Sequence, residues 1–338
     1  MSNLLKHNIK LIGVGGCGGN TISRIKSNSQ MKSIAINTDV NALSLLDDTH
    51  TFAIGPKLTN GQGAGGDPLI AKKAIQESKK QIQELLLDTD LLFITAGLGG
   101  GTGSGATPLI SEICRKNKIP TIGVFTMPFT FEGSNRANLA NIAIENIKKY
   151  VDTFIIIDNN SLLNKQNRNI SIHEAFLLAD SVIDQSISGI YEIINTTGTI
   201  NVDFSDLLSL LRDGGESFMS KGIGKGNNFL EDAILDLTTH PMIQNPFNEY
   251  SKLLINIHGG NDINFDNVEY IVETLRKKTN ENSNIIFGLI ENKKWKKEIS
   301  ITALATSKNI NTEESNDDKD SSYLSFETQL DQKVFSFN

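Results

Sequence analysis

The sequence predicts an α/β protein: a mainly parallel sheet in a glycine-rich first half, a long helix, and a smaller α/β second half. Three observations carry that prediction. Short, continuous apolar runs alternate with helical stretches, glycine clusters follow two of those runs, and a helical pattern over residues 171–194 separates two regions of different character. The 338 residues, 38% hydrophobic and 21% charged, are enough for two buried cores.

The runs IKLIGV (9–14), KSIAIN (32–37), LLFITA (91–96), TIGVFTM (121–127) and TFIIID (153–158) are apolar without alternation, as strands buried on both faces must be. Polar or glycine-rich segments follow them, and open α/β sheets bind ligands at the carboxyl ends of their strands. Ser171-Ile172-His173-Glu174 is a capping box that opens the long helix. Apolar residues around much of its circumference place that helix between two domains. Beyond it come a glycine-rich stretch, GGESFMSKGIGKG, and a helix, FLEDAILDLTTHP. LLINIHG, helical EYIVETLRKK, IIFGLI and ISITALAT then complete a second α/β unit to about Thr306. From Ser307 the polar, acidic SKNINTEESNDDKDSS reads as a disordered tail.

Composition excludes several classes of function. A net charge of -7 argues against general affinity for nucleic-acid phosphates. Two cysteines, Cys17 and Cys114, make neither a disulfide framework nor a zinc site, so a reducing, cytoplasmic setting is expected. His7, His50, His173, His240 and His258 are scattered without metal-site spacing. The N-terminal segment lacks the apolar core of a signal peptide, and no apolar run approaches the ~20 residues that span a bilayer, so direct membrane insertion is not expected.

The first βα turn, Gly13-Val14-Gly15-Gly16-Cys17-Gly18-Gly19-Asn20, contains GxGxxG, and Asp39 follows the second strand where a dinucleotide site would need an acid. A NAD-dependent dehydrogenase is therefore a rival reading. A second loop, Gly97 to Gly105, precedes a helix expected to begin near Ala106, and a dehydrogenase has no need of it. Successive glycines expose N–H groups that can wrap a phosphate, and a helix N-terminus adds positive potential. Two such loops suit a polyphosphate held from both sides, and the absence of GK[ST] excludes a P-loop. On the long helix Phe176 and Asp180 are four apart and share a face. An apolar plate beside a carboxylate suits guanine, whose N1–H and amino group are both donors; a core Phe and a solvated Asp are the plainer alternative.

The run GGGTGSG resembles the signature of the tubulin and FtsZ superfamily, and within it the chain is similar to FtsZ over roughly residues 9–306. The resemblance implies residues 10–170 as a GTP-binding domain behind a 1–9 extension, 171–198 as a central helix, 199–306 as a C-terminal domain and 307–338 as a tail. It also implies head-to-tail filaments that organise cell division, with plasmid positioning or shape control as the alternative task. GVGGCGGN matches the first nucleotide loop (Gly15, Gly16, Cys17, Gly18, Gly19, Asn20), NTD the second (Asn37, Asp39), and GQGAGGDP a γ-phosphate-sensing loop (Ala64, Gly65, Gly66). Gly99, Gly100, Gly101, Thr102, Gly103 and Ser104 form the signature loop. PFTFEGSNR brings Glu132 and Arg136 to the ribose and phosphates, a pair that spacing alone reads as a helical ion pair, while Asn20 and Asn159 match base contacts. The cofactors implied are GTP or GDP with Mg²⁺, and K⁺ as a candidate further ion.

Asn201-Val202-Asp203-Phe204-Ser205-Asp206 resembles the family's catalytic loop, which implies that Asn201, Asp203 and Asp206 act on GTP held by the neighbouring subunit. The plainer alternative makes Asp203 a helix cap with Asp206 in the first turn. Cys17 stands where the family usually has glycine or alanine, and reads as a small hydrophobe. NKKWKK (292–297) reads as a solvated turn. The tail, with Tyr323, Leu324, Phe326, Phe335 and Phe337, departs from the family's proline-containing peptide, so its membrane tethers and regulators stay open.

Overall fold

Strand β1 (Ile9–Val14) is buried at every position, and its side chains divide between two cores: Ile9 and Leu11 face one, Ile12 and Val14 the other. Two-sided burial is what makes such a run continuously apolar. The structure, a computed structural model, describes residues 7–25, 31–46, 49–163, 169–196, 198–212, 214–239, 247–279 and 283–306. The tail and His240 therefore lie outside the described residues.

After β1 come α1 (Gly15–Ile25), β2 (Lys32–Asn37), α2 (Val40–Ser44), β3 (His50–Ala53), α3 (Pro56–Thr59), α4 (Pro68–Glu77) and α5 (Lys79–Leu85). The first half is completed by β4 (Leu91–Gly97), α6 (Gly101–Lys116), β5 (Thr121–Met127), α7 (Ser134–Ile147) and β6 (Thr153–Asp158). Then follow α8 (Ile172–Asn195), α9 (Phe204–Leu211), β7 (Gly215–Lys225), α10 (Phe229–Thr238), β8 (Lys252–Gly259), α11 (Phe265–Lys278), β9 (Asn284–Glu291) and β10 (Glu298–Thr306).

The strands form one sheet in the order β3-β2-β1-β4-β5-β6-β7-β10-β8-β9. Strands β1 to β6 pair in parallel, whereas β10 runs antiparallel to β7 and β8. The two halves are joined where β6 pairs with the start of β7, Thr153 beside Gly215 and Ile155 beside Ser217. Helix α8 is placed between the halves as expected: Ile183, Ile187 and Ile190 share a core with Phe93 and Val124 of the first half and Leu254 and Leu304 of the second.

Two differences from the sequence reading have physical causes. GGESFMSKGIGKG is strand β7, and two of its glycines are packing requirements: a Cβ on Gly222 would stand 2.0 Å from the Ala233 carbonyl oxygen, and one on Gly224 1.8 Å from that of Phe229. Helix α10 lies directly on that strand. Strand β3 escapes notice because it is a four-residue edge strand without a buried residue. The 292–297 segment is the expected turn, held by Lys297 N–H donating to Asp262 (2.7 Å).

Candidate functional site

The carboxyl ends of β1, β4 and β5 open into a cavity of about 470 Å³. Helix α1 starts immediately after β1, which brings Gly15, Gly16, Cys17 and Asn20 to the wall. Gly18 and Gly19 do not line it: Gly18 packs on the Gly13 backbone and Gly19 faces Leu46.

Helix α6 begins at Gly101, not near Ala106, so the glycine run is itself the first turn of the helix. Gly100 to Gly103 line the cavity, and no side chain caps the N-terminus, so the orphan N–H groups of that turn face a ligand site. Gly99 and Ser104 hold the turn, Gly99 N–H donating to Ser104 Oγ at 2.8 Å, and Thr102 meets the Thr38 hydroxyl at 2.8 Å. A Cβ on Gly103 would lie 2.3 Å from the Gly97 carbonyl oxygen, so no larger residue fits without displacing β4 or α6.

Asn37 ends β2 and Asp39 is the N-cap of α2, and neither lines the cavity. Asn37 Oδ1 accepts from Asp39 N–H, and the Asp39 carboxylate caps α2 by accepting from Ala42 N–H at 3.1 Å. The dehydrogenase reading thereby loses the acid it needed. Ala64, Gly65 and Gly66 are also outside the wall, but their loop passes beside the α6 N-terminus: a Cβ on Gly101 would lie 2.9 Å from the Gly66 carbonyl carbon and 3.0 Å from Ala64 Cβ.

Glu132 and Arg136 both line the cavity and form an ion pair. Their spacing suggests one helix, yet Glu132 ends a 3-10 turn and Arg136 is in α7, with Gly133 between them at φ +99°. Phe176, Ala179 and Asp180 of α8 also line the cavity, together with Asn159. Phe176 is 40% exposed and meets Phe129 edge to face at 5.2 Å, leaving ring surface toward the cavity. Asn159 is buried, and its Oδ1 has no hydrogen-bond partner among the described residues. A buried orphan acceptor on a cavity wall is a site for a ligand donor.

Asp180 is buried and ion-paired with Arg24 of α1. Burial raises the Asp180 carboxyl above the ordinary range, and Arg24 opposes that shift. Sequence reading missed Arg24, whose signal was its place four residues after Asn20 on α1. Burial, aided by the Asp180 charge, pushes the Cys17 thiol up to about 11, so Cys17 is a neutral wall residue, as its small apolar character suggested.

Asn201, Asp203 and Asp206 are exposed, and none lines the cavity. Ile200 exchanges two backbone bonds with Leu289 of β9 (3.1 and 2.9 Å), and Asn201 Oδ1 accepts from Gly198 N–H at 2.6 Å. Asp203 stands at the α9 N-cap, where its backbone oxygen accepts from Asp206 and Leu207 N–H. Its carboxylate makes no cap bond, contrary to the plain capping alternative. Among the described residues no three His, Cys, Asp or Glu side chains group as a metal cage.

The model of the Tubulin/FtsZ family GTPase domain matches residues 8–167, and that of the FtsZ family C-terminal domain matches residues 215–309. The empty FtsZ dimer of M. jannaschii superposes with a TM-score of 0.83 at 32% identity, over 90% of this chain and 89% of that one. This chain belongs to the FtsZ family. It is a GTPase of the tubulin/FtsZ fold. The GTPγS-bound protofilament of CetZ2 from Haloferax volcanii superposes with a TM-score of 0.76 at 19% identity, over 97% of this chain and 99% of that one. The GDP-bound CetZ1 monomer of the same organism gives 0.77 at 17% identity, over 90% and 95%, and both of these show the fold. Among the described residues of this FtsZ-family chain, no helix is long and apolar enough to cross a membrane.

Proposed function

We propose that this chain is a cytoplasmic GTPase that assembles head to tail into filaments of the cell-division ring, each active site being completed by the next subunit. The carrying observation is that Asn201, Asp203 and Asp206 are exposed and absent from the wall of the chain's own cavity. A family GTPase whose acids do not reach its own nucleotide can use them on a second copy. Such a contact is heterologous and does not close, so it builds an open filament. The matched relatives include a dimer and a protofilament.

In this reading the Gly15, Gly16, Cys17 and Gly100–Gly103 amides and the α6 N-terminus hold the phosphates, and Asn20 meets the base. The Ala64–Gly66 loop lies against that turn, and Asn37 and Asp39 are at the second nucleotide loop, where Asp39 pairs with Gln62 just ahead of that segment. Glu132 and Arg136 meet the ribose side. Phe176 packs on the base, Asp180 accepts from guanine N1–H and its amino group, and Asn159 Oδ1 accepts a further donor. Asp203 and Asp206 of the next subunit orient and polarise water for attack on the γ-phosphoryl group, with Asn201 supporting the loop. Mg²⁺ would lower the phosphate charge when bound, and with no group of three His, Cys, Asp or Glu side chains among the described residues it would be held chiefly through phosphate oxygens and water.

Sedimentation with GTP, with phosphate release followed across protein concentration, tests the reading. Pelleting polymer and turnover per subunit that rises with concentration support it; turnover independent of concentration overturns it. Deleting residues 312–338 should leave both intact while impairing recruitment to the division site, where membrane tethers and regulators would act. Filaments that form normally but never locate to the division site would favour the positioning or shape-control role.

A further inference from the structure

Helix α1 presents Asn20 to the cavity and, one turn further on, Arg24 to α8. Arg24 Nη1 donates to Asp180 Oδ2, and the two side chains are 37% and 9% exposed. Asp180 lines the cavity and Arg24 does not, so the guanidinium approaches from outside the wall. It engages one carboxylate oxygen, and Oδ1 accepts no hydrogen bond among the described residues. We propose that Arg24 is the positioning residue for base selection, fixing Asp180 as an ionised acceptor whose other oxygen is presented to the donor edge of guanine. The proposal rests on the guanine reading of Asp180 given above.

The chemistry of the neighbourhood gives Arg24 this task. A protonated Asp180 would turn a donor toward guanine's own N1–H donor. Burial drives the carboxyl in that direction, and Arg24 is the group that resists it. The other charged or titratable groups near Asp180 do not substitute. Cys17 of α1 is a neutral thiol, and Arg136 of α7 is paired with Glu132 of the 3-10 turn. On α8 itself Asp184 accepts from Ser188 Oγ at 2.7 Å and has the wrong charge to help. The competing account is that Arg24 merely complements the carbonyls at the α1 C-terminus, where it is the basic residue of the last turn. That role would put no pH dependence into nucleotide affinity.

The test measures GDP affinity of the nucleotide-stripped full chain, below assembly concentrations, from pH 5.5 to 8.5. Wild type, Arg24→Gln, Arg24→Lys, Asp180→Asn and the Arg24→Gln/Asp180→Asn double variant are compared. Each profile is divided by that of wild type, which cancels titration of the GDP phosphates. Arg24→Gln should bind within about threefold of wild type at pH 8.5 and then lose up to about tenfold per pH unit once Asp180 protonates. Arg24→Lys should remove most of that pH-dependent loss, and the double variant should show none of it. A flat Arg24→Gln ratio, whether equal to wild type or uniformly weaker, overturns the proposal, as does an Arg24→Gln profile unaltered by the added Asp180→Asn. If Asp180→Asn alone binds GDP as wild type does, the guanine reading itself has failed, whatever Arg24→Gln does.

Discussion

At one end of α8 the polar groups are enclosed, and just beyond its other end they are exposed. The N-terminal end places Phe176 and Asp180 in a cavity where Asn159 keeps a buried, unpartnered acceptor and Asp180 is already ion-paired. The helix then runs 24 residues, about 36 Å at 1.5 Å per residue, to Asn195, after which come Asn201, Asp203 and Asp206 in the open. A buried polar group with unmet hydrogen-bonding capacity calls for a partner, which a ligand in the cavity would supply. Exposed acids at an N-cap have nothing of their own chain to act on. In the function proposed above, one region is a complete receptor and the other is half of an active site.

The largest expected effect separates the two regions in different molecules. Gly103→Arg puts a long side chain where even a Cβ would lie 2.3 Å from the Gly97 oxygen, so GTP binding should fall more than ~100-fold, the loss expected when the phosphate turn is disrupted. Asp206→Ala should leave GTP affinity within about twofold and lower turnover by about 10² or more. Mixed together, the variants should release phosphate faster than the sum of their separate rates, because one supplies a filled cavity and the other intact acids. Normal hydrolysis by Asp206→Ala alone would show that the exposed loop is not half of an active site.

Asp180→Asn tests whether the enclosed end reads the base. Losing a charge-assisted acceptor costs about 1.5–3 kcal/mol, so GTP affinity should drop about 10- to 150-fold while xanthine nucleotides, which offer an acceptor where guanine has a donor, gain. Equilibrium binding of both nucleotides reads this directly. Unchanged GTP affinity would leave the cavity a phosphate site without base selection.

The difference between the two ends also explains what the sequence could reveal. Strands buried on both faces announce themselves as apolar runs, so β1, β4, β5 and β6 and the long α8 were legible. The turn at the α6 N-terminus is legible by its glycines but reads as loop, since glycine disfavours helix and the close packing of Gly103 on β4 and of Gly101 and Gly105 on residues 64–68 is not encoded locally. Strand β7 was hidden for a related reason: Gly222 and Gly224 serve the close approach of α10, which no local pattern encodes. Residues at the enclosed end were found by spacing along one helix, as with Phe176 and Asp180. Arg24 was not, because its partner is 156 positions away and the pair exists only once α1 packs on α8. For Asp203 and Asp206 local pattern offered a helix cap as the plainer account, and the structure weakens it by leaving the Asp203 carboxylate out of the cap.

A smaller effect probes how firmly the enclosed end is built. Ser171 and Glu174 form the capping box of α8, Ser171 N–H donating to Glu174 Oε2 at 2.7 Å and Glu174 N–H to Ser171 Oγ at 3.2 Å. Ser171→Ala should cost about 1 kcal/mol of stability, read as a lower denaturant midpoint. Because the box sits just before Phe176, GTP affinity should weaken by a few-fold while the reactivity of Asp203 and Asp206 toward GTP on a wild-type neighbour is unchanged. Equal loss at both ends would mean that α8 transmits disorder along its length and that the two regions are not separable.

The smallest effect concerns the C-terminal end of α8 and is set by pH. His258 of β8 has Nε2 4.0 Å from Glu192 Oε1 of α8 and 3.0 Å from the Asn256 amide nitrogen, which can donate to a neutral ring. Burial holds the His258 pKa below its ordinary 6.5; Glu192 opposes that shift, and Lys221 of β7 reinforces it. The folded state therefore binds fewer protons than the unfolded state between the lowered value and 6.5. Stability should be full above about pH 6.5 and decline as pH falls through that window, with no further loss from this group once the folded-state histidine is also protonated. Unfolding midpoints at intervals from pH 7.5 to 5.5 should show the decline in wild type and a reduced one in His258→Gln. A wild-type midpoint that rises on acidification, and does so only with His258 present, would mean that the Glu192 attraction outweighs burial. The end of α8 next to the exposed acids would then tighten in acid, reversing the predicted sign.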